Sequence, residues 1–175
     1  MIRRLIEIIF SITNPLAKKQ AEAIKLQDTY GSWPVYFYHQ LSENQINRVK
    51  NNKFIKKAEN LYREVLEEGE DSLSPGAIIT TKHQLALLLH RQGRIDEATD
   101  LYNEVIKTCR LYTMPTETCD WALCFALFRL AELTFESDRN KAIKMFAESS
   151  EISNRRKYVE GISLNKEAKN YFQFN

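Results

Sequence analysis

Ala58-Glu59-Asn60-Leu61-Tyr62-Arg63-Glu64-Val65, Ala98-Thr99-Asp100-Leu101-Tyr102-Asn103-Glu104-Val105 and Ala142-Ile143-Lys144-Met145-Phe146-Ala147-Glu148-Ser149 are one phrase written three times. The copies start 40 and 44 residues apart. A repeat at that period is the signature of a solenoid, in which each unit buries its apolar face only against its neighbours. In each copy an alanine is followed three and four residues later by Leu or Met and by an aromatic, which places all three on one helical face. The alanine lets a second helix approach closely, and the larger side chains fill the space beside it.

Punctuation between the copies agrees with helical pairs. Five Gly and four Pro interrupt long runs of helix-forming residues. Ser32-Trp33-Pro34, Ser74-Pro75-Gly76 and Thr113-Met114-Pro115 each mark a helix entry. Asn14-Pro15 starts an earlier helix and Tyr30-Gly31 ends it. The pattern predicts helices over about 2–12, 15–30, 34–51, 54–69, 75–92, 95–110, 116–136, 139–153 and 156–172. The expected fold is all-α, an α-solenoid in a right-handed superhelix of about three helical hairpins. Residues 1–33 form N-terminal capping helices, 34–70, 75–110 and 115–153 form the hairpins, and 154–175 hold a C-terminal capping helix.

Composition excludes several functions. A net charge of +2, from 25 basic and 23 acidic residues, gives no field that would draw the chain to nucleic acid. Lys56-Lys57 and Arg155-Arg156-Lys157 stand among acidic neighbours and read as solvated faces. The three cysteines, Cys109, Cys119 and Cys124, contain no Cys-x-x-Cys, which speaks against a structural zinc site and favours a reducing, cytoplasmic setting. His83 and His90 are two turns apart, too far to share one metal without further ligands. No acid, base and nucleophile set assembles, so neither enzyme activity nor a cofactor is expected. Residues 1–12 carry an apolar face, Ile2, Leu5, Ile9 and Ile12, too short to cross a bilayer. That face can cap the fold, touch a membrane weakly or form a homodimer through the N-terminal helix.

The recurring phrase resembles the tetratricopeptide repeat family. Ala86 and Ala131 match its small site in the first helix, Ala58, Ala98 and Ala142 its alanine in the second, and Tyr62, Tyr102 and Phe146 its aromatic. The period exceeds the family's 34 residues, and Leu85 to Ala98 is similar to the longer repeats of kinesin light chains. Ile46 stands where the first unit should be small.

The resemblance implies a concave groove lined by the first helices and a peptide or helix of a partner protein bound there. The implied peptide-binding residues are Asn47, Lys50, His83, Gln84, Leu87, His90, Arg91, Phe125, Phe128, Arg129 and Glu132. Some members grip a terminal carboxylate with lysines, asparagines and an arginine. Asn47 and Arg129 match that clamp, but Glu43 and Phe125 occupy its lysine sites and Gln84 an asparagine site, which sets the chain apart from carboxylate binders. Two alternatives stay open at this point. The Phe125, Phe128 and Phe135 stripe can be core packed on the terminal helix, and the chain can be a secretion- or assembly-type chaperone that dimerises through its N-terminal helix.

Overall fold

The structure is a computed structural model and describes residues 14–31, 37–112 and 116–174. The expected helix over 2–12, and with it the capping or dimerising face, lies outside the described residues. Among the described residues there are eight α-helices and no strand: α1 Pro15–Tyr30, α2 Glu43–Asn51, α3 Lys53–Gly69, α4 Pro75–Arg91, α5 Ile95–Leu111, α6 Glu117–Thr134, α7 Arg139–Arg156 and α8 Val159–Phe172. A 3-10 turn, Tyr38–Gln40, precedes α2. The fold is an α-solenoid of helical hairpins.

Side-chain oxygens start most of these helices. Asn14 accepts from the Leu16 and Ala17 amides, Ser42 forms a reciprocal capping box with Gln45, and Asn52, Ser74, Thr116 and Asp138 cap α3, α4, α6 and α7. The α4–α5 turn closes at Gly93, at φ 74°, where the Arg94 amide donates to the Leu89 carbonyl. Lys157 makes the equivalent turn after α7 at φ 59°.

The alanines of the repeated phrase carry the packing. Ala58, Ala98 and Ala142 have no exposed surface, nor do Ala86 and Ala131 on the facing helices, and Tyr62, Tyr102 and Phe146 are buried beside them. Burial of each such aromatic stabilises the fold by roughly 1.5–3 kcal/mol. At the C-terminal end the contact is polar. Cys124, Ser149, Ser153 and Asn165 form a buried hydrogen-bonded cluster joining α6, α7 and α8, and a Cβ on Gly161 would collide with Ser153.

One hairpin is assembled from different pieces than the sequence spacing predicts. Of the helix expected over 34–51, residues 34–36 lie outside the described residues, and within 37–51 the α-helix is α2, Glu43–Asn51, preceded by the 3-10 turn and extended residues at Phe37, Leu41 and Ser42. The antiparallel partner of α3 is α1. Lys19 bonds Glu64 and Glu68 near one end of the pair, and Tyr30 stacks on Phe54 at the other, with ring centroids 4.3 Å apart. On the neighbouring hairpin Gln20 donates to Thr81 and Gln27 to Gln84, both on α4. Ala23 of α1 has no exposed surface, whereas Ile46, which looked out of place as a small-residue site, is half-buried on α2.

Ala98→Leu inserts bulk at a crossing without free volume and is expected to cost about 1–3 kcal/mol. Asn103→Leu, on the exposed side of the same helix, is expected to stay within about 0.5 kcal/mol of the wild type. Thermal melts of both variants, followed by circular dichroism, check this difference.

Candidate functional site

The sequence-predicted site residues fall into two groups. Asn47 and Lys50 are exposed on α2. His83, His90, Phe125, Phe128, Arg129 and Glu132 are buried, while Gln84, Leu87 and Arg91 are half-buried. The buried members converge on the face shared by α4 and α6. This face is not open: the chain's own residues lie across it.

Its cover comes from two directions. Phe37 and Tyr38, at the 3-10 turn, are 2% and 5% exposed and lie against both helices. The Phe37 ring stacks over Phe128 with centroids 6.1 Å apart and meets Tyr171 and Phe172 at 4.9 and 5.3 Å. The Tyr38 ring sits in a cage. The Arg129 guanidinium lies 3.8 Å from its centroid, that of Arg91 4.9 Å, and the His90 ring meets it edge-on at 4.9 Å. A desolvated cation over an aromatic ring contributes about 2 kcal/mol. From the C-terminal end Phe172 packs on Phe135 and Phe146, and Phe174 stacks on Phe146. Phe128 and Phe135 are therefore packed as core in this conformation, and a peptide reaches them only if the cover moves; Phe125, also buried, packs among His83, Trp121 and Tyr158.

The cage holds a buried ion pair. Arg129 Nη1 donates to Glu132 Oε2 at 2.9 Å within one turn of α6, and both side chains are nearly inaccessible. This commitment to Glu132 and Tyr38 separates Arg129 from Asn47, which is solvent-exposed on α2, so the two clamp-matching residues are not joined in a carboxylate site. His83 lies beside Trp121, with ring centroids 4.8 Å apart, and near Tyr102 and Phe125. Among the described residues neither His83 nitrogen has a hydrogen-bond partner, nor does the Tyr62 hydroxyl or Arg91 Nε. Burial, reinforced by Arg129 and Arg91, pushes the His83 pKa down to about 3.

Other chemistry finds little support in this geometry. Burial pushes the Cys109 thiol up to about 12 and raises that of Cys124, the reverse of what activates a nucleophile. Among the described residues no three His, Cys, Asp or Glu side chains converge on a metal position, and no helix is long and apolar enough to cross a membrane.

Phe37, Tyr38 and Ala23 are the residues that the repeat pattern missed. Their signal was local: Trp33-Pro34-Val35-Tyr36-Phe37-Tyr38 couples a proline to a run of weak helix formers, a poor start for a long helix.

Two consequences are measurable. Unfolded His83 takes up a proton below about pH 6.5 whereas the folded side chain resists it down to about 3, so its contribution is complete above 6.5 and lost as pH falls through that window, by about 1.4 kcal/mol per unit. His83→Leu is expected to flatten the decline in melting temperature between pH 6.5 and 5. Glu132→Gln strands the Arg129 charge and is expected to cost about 3–5 kcal/mol in urea unfolding, whereas Arg129→Met with Glu132→Leu recovers most of the loss.

Comparison with known proteins finds a distant similarity to one subunit of the signal recognition particle. It is 31% identical over 135 residues to the signal recognition particle subunit SRP72 of Homo sapiens, a match covering 72% of this chain and 18% of that protein. The same subunit of Canis lupus familiaris is 32% identical over 123 residues, covering 65% of this chain and 17% of that protein. The chain thus spans less than a fifth of the length of the curated relatives it matches. No protein-family model matches the chain, and no solved structure matches it significantly. The distant likeness to a particle subunit and the all-helical hairpin fold are compatible with a tetratricopeptide-like family.

Proposed function

We propose that the chain is a non-catalytic protein-interaction module of tetratricopeptide-like hairpins, and that it holds a segment of a partner protein against the α4–α6 face. The observation that carries this reading is the face's present occupant. A short stretch of backbone, extended at Phe37, is held there by aromatic stacking and by the Arg129, Arg91 and His90 cage around Tyr38. A face that grips one aromatic segment of its own chain has the chemistry to grip another. The partner segment takes the place of Phe37 and Tyr38, engages Phe125, Phe128, His83 and the Arg129–Glu132 pair, and is bordered by Gln84, Leu87, Asn47 and Lys50. Similarity to a signal recognition particle subunit favours a protein subunit of a larger assembly as that partner.

A photo-crosslinking amino acid at position 87 tests the reading in the full chain. The expected result is one discrete crosslinked protein, absent when the crosslinker is at exposed position 111 and increased about tenfold when Phe37→Ala and Tyr38→Ala remove the competing segment. Equal capture from both positions, or none from 87 in the double variant, overturns it.

A further inference from the structure

A second surface lies on the other side of α4. Leu85 and Leu89 are turned about half a helical turn away from His83, Leu87 and His90. They form the floor of an open groove of about 340 Å³ between α3 and α5, with Arg63, Leu66, Glu97, Asp100, Leu101 and Glu104 as its walls. The floor is apolar and the α5 wall is acidic. Glu97, Asp100 and Glu104 follow one another at i, i+3 and i+7, so they form one stripe along the groove. On the α3 wall Leu66 continues by helical spacing to Glu70, and Arg63 to Glu67, both exposed carboxylates.

The cations nearby are already engaged. Arg63 is held by Glu59 and Glu97, Arg94 by Glu59 and Glu97, and Lys82 by Glu104. Asp100, Glu67 and Glu70 make no ion pair among the described residues. Half-buried Leu66 and Leu101 thus face each other across a groove whose unspent charge is negative.

We infer that this groove docks a basic amphipathic helix of a partner protein, leucine-type side chains seated between Leu66 and Leu101 and lysines or arginines reaching Asp100, Glu67 and Glu70. The acidic stripe spans seven residues of α5, a rise of about 10 Å, so two turns of the partner helix fill it. The carboxylates repel nucleic acid and anionic lipid, and the leucine floor has no use for a free cation. Nothing here depends on the cover of the α4–α6 face, and the two surfaces can be occupied at once.

The probe is a labelled helical peptide with leucines at i, i+3 and i+7 and lysines on both flanks, added to the full chain at physiological ionic strength. Fluorescence anisotropy is expected to show saturable binding that weakens about tenfold in Asp100→Lys, an exposed site whose change leaves the fold intact. Binding is also expected to weaken with added salt. Hydrogen exchange is expected to slow over residues 63–66 and 97–104. The inference is overturned if the peptide does not bind, if a glutamate-flanked version binds equally, or if Asp100→Lys has no effect. Protection over α6 in place of the groove overturns it too, and self-association abolished by Asp100→Lys would assign the surface to a second copy.

Discussion

Helices can nest only as closely as the side chains at their crossings permit. Ala23, Ala58, Ala86, Ala98, Ala131 and Ala142 all stand at zero exposure, and each marks a place where a longer side chain would hold two helices apart. Every other feature depends on that closeness. It brings Tyr62, Tyr102 and Phe146 into a continuous core, and it spaces α4 and α6 so that one aromatic ring can touch His90 on the first and Arg129 on the second. Because alanine contributes little area itself, the stabilisation comes from the large neighbours that these positions allow to meet.

The segment between α1 and α3 is the molecule's main departure from a plain array. Since α1 supplies the antiparallel partner of α3, residues 37–51 are left over from the hairpin and can cross to the face where successive first helices meet. Their aromatic content makes that crossing favourable. Phe37, Tyr38 and Leu41 are all buried, and so is Val49 of the returning helix. The return ends at Asn52, whose side chain caps α3 and fixes the direction of exit.

Most of the helices were legible because their signals are local. Caps at Asn14 and Ser74, a glycine at 93 and a period-3.6 apolar face are decided within a turn or two of sequence, and the observed ends fall within about two residues of expectation for most elements from α3 onward. Pairing is a different matter. Whether α3 takes α1 or α2 as its neighbour depends on which of two helices offers the smaller crossing residue and the longer face. Ile46 flagged a misfit in one candidate, but Ala23 lay outside the repeat as the spacing defined it. For the candidate site the sequence disclosed helical spacing and not burial. Helical spacing put Phe125, Phe128 and Phe135 on one stripe, but only the packed chain discloses that Phe37 covers Phe128 and that Phe172 and Phe174 cover Phe135, because the first contact joins positions about 90 residues apart and the others come from beyond the last hairpin.

The covered face also carries a cost that bears on how it works. Both His83 nitrogens, the Tyr62 hydroxyl and Arg91 Nε have no hydrogen-bond partner among the described residues, and a buried polar group left unmatched costs about 1–3 kcal/mol. Apolar burial and the cation cage around Tyr38 offset that cost, which is why the cover is built from aromatic rings and not from polar chain. Rings bring area and a negative face for the guanidinium, but they leave the histidine and arginine nitrogens unmet. A segment that matched the rings and added a carbonyl or carboxylate near His83 or Arg91 would bind this face better than the chain binds itself. On the proposed reading, the balance between closure and capture is set by hydrogen bonds that the present occupant does not make.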